Sequence, residues 1–538
     1  MIDPTAASVV PTTDPSTYLP AQPISGDLND QLLQTDFWTD DMVAAAGIPI
    51  VDVPFVTIGG GIGSFVTVDY LRIAGVPTSQ MRVLSTLDFP WQTYEYLTRV
   101  SQVPRPERIR SDSASRPDNI WGFPSYGFAE GVRHFRPKVL WQLFSEPIFE
   151  DYYTPKAGNV FEQLEREAKR ISYDEMLVKG LVRIVRRRYG GGYFTILTPP
   201  EGASATKRVA FRSQYVHLAV GYPGLKFLPE LQRYRTENND YRHIVNAYEA
   251  HEHVYERLVQ TPSTVLVRGG GIVASRILQR LMDDREKHGA QTRIVHLFRT
   301  YIHGTNDGYG NEEDQRPGGG RTRVTMRRRG GDGWAYQGFN YPKSVWGGQL
   351  KAQVRNLEGE QRAELYKRMG GTNTPYRKSW QRQMKQGRRE GWYTCVVGTV
   401  DEMRPSGERI LNQVRTAQGV VPLEVDFVID CTGLEADIAE HRLLKDLLDH
   451  GGASRNPVGR LNVDRNFELI GTASGGGVMY ASGATTLGGY FPGVDTFLGL
   501  QVAAQEIYGD LNKRGFCKRI GPVRSTLQWW KWLAGSAP

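Results

Sequence analysis

Two glycine-rich stretches, FVTIGGGIGSFV and TVLVRGGGIVASRI, have the residue types and spacing that bind a nucleotide. In the first, Gly59, Gly61 and Ser64 occupy the three small positions of the pattern G-x-G-x-x-G, and Ile62 and Gly63 complete the loop. The first glycine permits the tight turn, the second lets a pyrophosphate approach the backbone, and a small third residue lets helix and strand pack closely. The helix that begins there offers free N–H groups to the phosphates, so the stretch predicts a dinucleotide site.

The ribose of such a nucleotide is usually held by an acidic residue at the end of the next strand. The strand RVLST ends instead in Ser85 and Thr86, and the nearest acid is Asp88. We therefore predict Asp88 as the ribose contact. The alternative is that the adenosine end is held in another way.

The second stretch contains Gly269, Gly271 and Ala274 in the pattern G-x-G-x-x-A, followed by Ser275 as a further predicted contact. The next strand, RIVHLFRT, carries no acid, and Arg299 lies just beyond its end. A carboxylate there would repel a ribose 2′-phosphate, whereas an arginine can pair with one. The second loop is therefore predicted to bind NADPH rather than NADH, unless Arg299 is an ordinary solvated cation.

Each loop follows a run of β-forming residues and precedes an amphipathic helical pattern, which predicts a strand–turn–helix unit twice. An aromatic-rich stretch at 90–170 predicts an irregular layer over a pocket, and a strand meander is predicted over 180–220. Residues 304–335, rich in glycine and arginine, are predicted to form a long loop.

The overall composition of the 538 residues excludes several classes of protein. The mean hydropathy of −0.44 suits a soluble protein. No apolar run is long enough, at about 18 residues, to predict a transmembrane helix. The N-terminus lacks the basic start and apolar stretch of a signal peptide, so we expect a cytoplasmic protein. The sequence does not decide whether it forms a homo-oligomer.

The net charge of +8 is concentrated in basic clusters at 186–188 and 321–329, beside glycines in predicted turns. Solvated loops are the simplest interpretation. Steering of an anionic cofactor or substrate is the alternative. A nucleic-acid partner is not expected, because no recognisable binding module is present.

The cysteines and histidines predict neither a disulfide framework nor a metal site. Cys395, Cys431 and Cys517 lie far apart in the sequence and form no CxxC pair, which also argues against dithiol redox chemistry. No two histidines within 243–253 have the i, i+4 spacing that would bring them together on a helix.

Two later strand ends, HLAVGYPG and DFVIDCTGLE, together with the order of the glycine loops, resemble flavin-dependent monooxygenases with two dinucleotide-binding domains. These families include the N-hydroxylating and the flavin-containing monooxygenases, and the resemblance covers 50–510 at the level of motifs. Gly221 and Pro223 match the turn at which the families leave the FAD domain for the NADPH domain. The resemblance implies that Gly221, Thr432 and Gly433 are cofactor-binding residues.

Two further segments support the resemblance. GGTNTPYRKSW resembles a segment that faces the nicotinamide in N-hydroxylating enzymes, with Asn373 as the candidate catalytic contact, although Thr374 and Pro375 depart from the pattern. VMYASGATTLGG resembles the final strand and glycine turn, where Gly483 is a candidate FAD contact and Ala484 replaces an aspartate of the wider superfamily. The F-x-G-x-x-x-H signature of flavin-containing monooxygenases is absent.

The fold class that the resemblance implies is α/β, with two Rossmann-like doubly wound domains and the NADPH domain inserted in a discontinuous FAD domain. Residues 48–228 and 400–510 are assigned to the FAD-binding domain and 229–399 to the NAD(P)H-binding domain. Residues 1–47 are predicted to be an extended or disordered arm, and 511–538 a C-terminal tail.

The resemblance also implies a reaction. NADPH would reduce the FAD, molecular oxygen would add to it, and the resulting peroxyflavin would oxygenate a nitrogen, sulfur or carbonyl centre of a small molecule. The first contacts to the reacting groups are expected from 121–128, Asn373 and the GATTLGG turn. Two alternatives stay open: an NAD(P)H-dependent flavin reductase or dehydrogenase without oxygen insertion, and a non-catalytic flavin-binding scaffold or sensor.

The predicted tail contains Trp529, Trp530 and Trp532. A tryptophan cluster of this kind either contacts a membrane interface or a partner, or folds back onto the domain.

Overall fold

The computed structural model describes residues 27–109, 116–149, 153–200, 208–301, 333–334, 336–337, 350–369, 374–375, 377–434 and 437–538. Asn373 and almost all of the predicted loop at 304–335 lie outside these ranges. The strands are β1 (Phe37–Trp38), β2 (Ile50–Asp52), β3 (Phe55–Ile58), β4 (Met81–Ser85), β5 (Leu177–Lys179), β6 (Leu181–Arg188), β7 (Tyr193–Thr198), β8 (Val209–Ser213), β9 (Tyr215–Leu218), β10 (Ile244–Asn246), β11 (Thr264–Arg268), β12 (Arg293–Phe298), β13 (Tyr336–Gln337), β14 (Thr374–Pro375), β15 (Tyr393–Val397), β16 (Thr399–Ser406), β17 (Arg409–Thr416), β18 (Gly419–Val425), β19 (Phe427–Asp430) and β20 (Val478–Ala481).

The helices connect these strands and cover the sheets. They are α1 (Asp30–Gln34), α2 (Asp40–Ala45), α3 (Ile62–Ile73), α4 (Gln92–Val100), α5 (Ser125–Arg133), α6 (Pro137–Phe149), α7 (Ala157–Arg170), α8 (Tyr173–Met176), α9 (Pro229–Asn238), α10 (Glu252–Gln260), α11 (Ile272–His288), α12 (Leu350–Asn356), α13 (Gly359–Met369), α14 (Lys378–Glu390), α15 (Arg442–Asp449), α16 (Phe497–Lys513) and α17 (Pro522–Leu533). None of the helices in the described ranges is long and apolar enough to cross a bilayer.

The first glycine loop lies at the carboxyl end of β3, the central strand of a five-stranded parallel sheet with the order β20-β9-β3-β4-β5. All four residues of β3 are buried, as expected for a central strand covered on both faces. Helices α3 and α16 pack together against this sheet. A second sheet, β1-β6-β7-β8-β2, extends the same unit.

The second glycine loop lies at the edge of another five-stranded parallel sheet, with the order β10-β19-β11-β12-β15. The antiparallel strands β16, β17 and β18 cover this sheet, because Val414 packs with Leu266 and Val428 in one buried cluster. Two parallel sheets, each opened by a strand–glycine–helix unit, confirm the predicted α/β class.

The predicted domain boundary at 400 is wrong. Strand β19 pairs in parallel with β11, with Val265 opposite Phe427, and the meander at 399–425 packs on the same sheet. The chain therefore returns to the first unit only after Asp430. The sequence shows that strands exist in this region, but the pairing partner of each strand is decided by the sheet.

Two regions contain more regular structure than we predicted. Residues 27–47 include α1, α2 and β1, which pairs with β6 and contains the buried Trp38, so only 1–26 of the predicted arm remain outside the described residues. The aromatic stretch at 90–170, predicted to be irregular, contains four helices in its described residues, α4 to α7. Helices α5 and α6 form a close hairpin, in which a Cβ at Gly127 would lie 2.8 Å from Leu143.

The tail folds back onto the first unit as helix α17. The indole nitrogen of Trp532 donates to the carbonyl oxygen of Asp118 at 3.1 Å, and the side chain is almost fully buried. The indole nitrogen of Trp121 donates to Ser525 at 3.0 Å. The segment at 121–123, which we expected near the reacting groups, therefore contacts the tail.

Candidate functional site

The first glycine turn is packed tightly on one side and open on the other. Gly59 has a φ of +92°, and a Cβ there would overlap the Ala219 carbonyl oxygen at the end of β9. A Cβ at Gly60 would lie 2.5 Å from the Ser85 hydroxyl at the end of β4. A Cβ at Gly61 would meet nothing within 4 Å. The open side lies where α3 begins, which is the position that a pyrophosphate requires.

The third small position of this loop has a side chain that supports the turn. The Ser64 hydroxyl is fully buried and donates to the Gly59 carbonyl, and it lies 2.8 Å from the Thr57 hydroxyl. Gly63, one residue earlier, packs closely, since a Cβ there would lie 3.3 Å from Leu500 of α16. Serine is therefore compatible with close helix packing, and its oxygen faces the protein.

A fully buried histidine connects this serine to the final strand. His217 Nδ1 lies 3.0 Å from the Thr57 hydroxyl, and Nε2 lies 2.8 Å from the Ser482 hydroxyl. The Gly59 carbonyl can only accept, so the Ser64 hydroxyl donates to it and accepts from Thr57. Thr57 in turn accepts from Nδ1–H of His217, and Nε2 of the neutral ring accepts from Ser482. Burial lowers the pKa of His217 to about 3, so the ring is neutral, as this relay requires.

The sequence alone does not reveal this first relay. Its members lie on β3, α3, β9 and directly after β20, and only the sheet order brings them together. The only local signal is a histidine within an otherwise apolar strand, YVHL, where all four residues are buried.

Asp88 lies away from the packed core of the turn. Its side chain is 70% exposed and pairs with Lys179 Nζ at 2.6 Å. Ser85, which stands at the strand end where an acid was expected, is buried and accepts from the Leu87 N–H at 3.0 Å. The ribose contact at Asp88 stays a prediction.

Two further glycine turns lie at the same edge of the sheet. Gly221 follows β9 with a φ of +76° and has open space around it, and Gly483 follows β20 with a φ of +82°. The carboxyl ends of β3, β9 and β20 are adjacent because the strands are parallel and neighbouring. The predicted contacts of the first cofactor are thus brought to one edge, where open α/β sheets bind ligands.

The second glycine turn repeats the design of the first. Gly269 has a φ of +122°, and a Cβ there would lie 2.8 Å from the Cys431 carbonyl oxygen after β19. Helix α11 begins directly after Gly271, and Ala274 is fully buried beneath the turn. This loop also fits a dinucleotide, because the first glycine cannot carry a side chain and a long helix begins at the turn.

A second buried histidine holds the carbonyl of this turn. His296 Nε2 donates to the Gly269 carbonyl oxygen at 2.6 Å, and Nδ1 accepts from the Tyr393 hydroxyl at 3.0 Å. Burial lowers the pKa of His296 to about 4, and the ring packs against Trp334 with centroids 4.9 Å apart. In both units, a relay from neighbouring strands therefore ends on the carbonyl of the first glycine.

The segment that contains the candidate catalytic residue meets the second turn. Asn373 itself lies outside the described residues, but the next residue, Thr374, is buried and donates to the Ser275 hydroxyl at 2.7 Å. Arg377 donates to the Ser275 carbonyl at 3.2 Å. Ser275 is thus engaged by the protein, and the role of Asn373 stays a prediction.

Arg299 and the Thr432–Gly433 pair follow β12 and β19, the two strands that flank β11 and its glycine turn. Arg299 directly follows β12, is exposed, and forms no ion pair with any residue in the described ranges. The Thr432 N–H donates to Asp430 at 3.1 Å, and Gly433 has a φ of +135° with open space around it. Burial raises the pKa of Asp430. No cluster of metal-ligating side chains occurs within the part of the chain that the structure describes.

The fold is similar to that of solved flavin-dependent N-hydroxylating enzymes. The ornithine hydroxylase of Pseudomonas aeruginosa matches with a TM-score of 0.59 at 14% identity, covering 86% of this chain and 99% of its own. The ornithine N-hydroxylase of Kutzneria, solved with reduced FAD, NADP⁺ and L-ornithine, matches with 0.60 at 14% identity over 86% and 100%. The FAD-bound cadaverine monooxygenase of Erwinia amylovora matches with 0.56 at 14% identity over 85% and 95%. No protein-family model and no curated protein sequence matches this chain.

Proposed function

We propose that this chain is an FAD- and NADPH-dependent monooxygenase that oxygenates a nitrogen, sulfur or carbonyl centre of a small molecule. The observation that carries the proposal is the pair of glycine turns, each at the edge of a parallel sheet and each opening a long helix. The ornithine and cadaverine enzymes of the same fold act on amines, which favours a nitrogen centre.

The first turn would hold FAD. The N–H groups at the start of α3 would bind the pyrophosphate, Gly61 would leave space for its approach, and Gly221 and Gly483 would contact the rest of the cofactor. Bound FAD supplies hydride acceptance and oxygen activation. The protein supplies orientation, so the absence of a catalytic acid–base pair from the predicted contacts is expected.

The second turn would hold NADPH. The start of α11 would bind its pyrophosphate, and the exposed guanidinium of Arg299 would pair with the 2′-phosphate. Gly433 leaves open space on the opposite side of the turn. Asn373, next to Thr374 in the sequence, is the proposed contact to the nicotinamide.

An exposed carboxylate beside Tyr222 and Ala484, the residues that follow Gly221 and Gly483, favours an amine substrate. Asp495 accepts a hydrogen bond from the Tyr222 hydroxyl at 2.9 Å, and both residues line a small surface cavity. A carboxylate beside Gly221 and Ala484 can pair with an alkylammonium group, whereas a sulfide or ketone would gain nothing from it. The cavity is lined by Tyr222, Pro223, Arg460, Ala484, Leu487 and Asp495.

The decisive experiment follows the visible spectrum of the purified protein. We expect a yellow protein whose flavin bleaches under nitrogen on addition of NADPH, and faster than with NADH. After oxygen is admitted, consumption should rise with an amine such as L-ornithine, L-lysine or cadaverine, and the product should carry one added oxygen by mass spectrometry.

Three results separate the candidate functions. Flavin reduction without an oxygenated product, across amines, sulfides and ketones, would support a reductase or dehydrogenase. A colourless protein that takes up no FAD would refute both enzymatic readings. A flavin that binds but is reduced by neither NADPH nor NADH would support the scaffold or sensor.

A further inference from the structure

Helix α17 has a buried face of mixed character and an opposite face that is apolar and exposed. On the inner face, Trp532 and Gln528 are almost fully buried, and Arg524 donates to the Ile73 carbonyl at 2.8 Å. The outer side chains recur at spacings of four, three and three residues, which places them on one stripe of a helix. These outer residues, here termed the tryptophan face, are Val523, Leu527, Trp530 and Leu533, with exposures of 85%, 55%, 61% and 38%.

A second exposed apolar set lies on the neighbouring helical hairpin of α5 and α6. Phe123 joins the two elements, since its ring stacks on Phe128 of α5 at 5.0 Å and meets Trp529 of α17 edge-on at 6.1 Å. The exposed side chains of this hairpin, here termed the hairpin tip, are Val132, Phe135, Trp141 and Phe144, with exposures of 61%, 91%, 66% and 71%.

Exposed cations lie near both sets, although the hairpin also contains Glu130, which pairs with Arg108 and Arg136, and Glu146. Residues 511–538 contain six lysines and arginines and no aspartate or glutamate. Lys518 and Arg519 before α17, and Arg133 and Lys138 in the hairpin, are exposed and form no ion pair with any residue that the structure describes. Helices that lie in the interface of an anionic membrane typically expose tryptophan and phenylalanine next to unpaired cations.

We propose that the tryptophan face and the hairpin tip form one surface that docks on an anionic lipid bilayer. The indole of Trp530 would lie at the headgroup level, where tryptophan is favoured, and the apolar side chains would enter the outer acyl region. Lys518, Arg519, Arg133 and Lys138 would contact the lipid phosphates. The proposal does not depend on the reaction that the protein catalyses.

A second copy of the chain fits this surface less well. Most homodimers are isologous, so that each patch meets its own equivalent. Such a contact would bring the unpaired cations of one protomer against those of the other, and like charges across an interface are unfavourable. An anionic surface, in contrast, neutralises all of them at once.

The test is sedimentation of the full FAD-loaded protein with lipid vesicles. We expect binding to vesicles that contain phosphatidylglycerol, little binding to phosphatidylcholine alone, and weaker binding at high salt. The double variant Lys518→Glu/Arg519→Glu should weaken binding by about tenfold or more, since each basic residue near such a surface contributes substantially. The triple variant Val523→Ser/Leu527→Ser/Trp530→Ser should weaken it by about a hundredfold.

Matched control variants lie on the other unit. Val420→Ser removes a valine on β18 whose exposure of 57% is close to that of Leu527, and Arg389→Glu reverses a highly exposed charge in the last turn of α14 that pairs only with Glu390 among the described residues. Neither should change vesicle binding. FAD content should be unchanged in every variant, and if the triple variant loses it, Trp530→Ser alone replaces it.

Three results would overturn the proposal. One is equal binding to neutral and anionic vesicles, and another is no binding to either. The third is a dimer in light scattering that only the tryptophan-face variants dissolve, which would assign the surface to a second copy of this chain.

Discussion

Replacing His217 tests whether the first buried relay sets the geometry of the first glycine turn, the proposed FAD site. Phenylalanine keeps the size of the ring but removes both hydrogen bonds, to Thr57 and to Ser482. The relay holds the Gly59 carbonyl inward, and a trans peptide directs the next N–H to the opposite side. The N–H of Gly60 is thereby directed away from the relay, and His217→Phe should loosen its orientation.

The expected magnitude follows from the groups left without a partner. Two buried hydroxyl groups lose one bond each, and each such loss costs about 1–3 kcal/mol of stability. Most of this loss falls on the apoprotein. The loss of binding free energy for FAD corresponds to one weakened hydrogen bond at the turn, about 1 kcal/mol. The dissociation constant of FAD should therefore rise about fivefold to tenfold.

Two polar variants separate the halves of the relay. His217→Asn places an amide nitrogen near the former Nδ1, where it still donates to Thr57, whereas His217→Gln places its amide near the former Nε2, beside Ser482. FAD titrated into apoprotein by flavin fluorescence should bind the asparagine variant nearly as well as the wild type. The glutamine variant should resemble phenylalanine.

The second relay provides the matched control. His296→Phe removes the donor to the Gly269 carbonyl, so it should weaken NADP⁺ binding by a similar factor and leave FAD binding unchanged. Equal FAD affinity in the asparagine and glutamine variants would refute the proton directions assigned to the relay. Release of FAD by His296→Phe as readily as by His217→Phe would refute the separate roles of the two histidines.

Four other outcomes follow from the structure. Arg299→Ala should weaken NADPH by about 1–3 kcal/mol, a charge-assisted contact, and leave NADH unchanged in steady-state kinetics; equal losses would refute its role. Gly61→Ala should fold normally by circular dichroism yet retain less FAD, whereas Gly59→Ala should unfold at lower temperature. Asp495→Asn should raise the KM for an amine without slowing flavin reduction by NADPH in stopped flow. Because the pKa of His217 falls from 6.5 to about 3 on folding, the unfolded state binds one more proton in that interval. As the pH falls below 6.5, the free energy of unfolding measured in urea should therefore decrease more steeply in the wild type than in His217→Asn. The expected difference between the two slopes is about 1.4 kcal/mol per pH unit.

The glycine turns could be predicted from sequence because their signal is local. A strand, a bare turn and a helix follow one another within a few residues, and the structure has β3 and α3 around Gly59 and β11 and α11 around Gly269. The boundary near 400 could not be predicted in the same way. Strands β16 to β19 are visible in the sequence, but nothing local states that β19 inserts between β10 and β11.

The motif places an acidic ribose contact at the end of β4, but Ser85 occupies that position in this chain. Asp88 was the nearest acid to the end of β4, but its side chain is exposed and pairs with Lys179. Ser85, at the expected position, fills the space beneath Gly60 so closely that a Cβ on that glycine would lie 2.5 Å from its hydroxyl. A bulkier acid at Ser85 would displace the turn itself, so an acidic ribose contact would have to come from beyond the end of the strand, as predicted for Asp88.

The two relays explain why a glycine pattern alone does not determine cofactor affinity. Glycine removes the steric barrier at Gly59 and Gly269, but it leaves the peptide plane free to rotate. A hydrogen bond from a neighbouring strand fixes that plane, and with it the direction of the next N–H. Because the first relay uses β9 and β20 and the second uses β12 and β15, each turn is oriented by different residues. We therefore expect the affinities for the two proposed cofactors to change independently, through buried residues behind each turn.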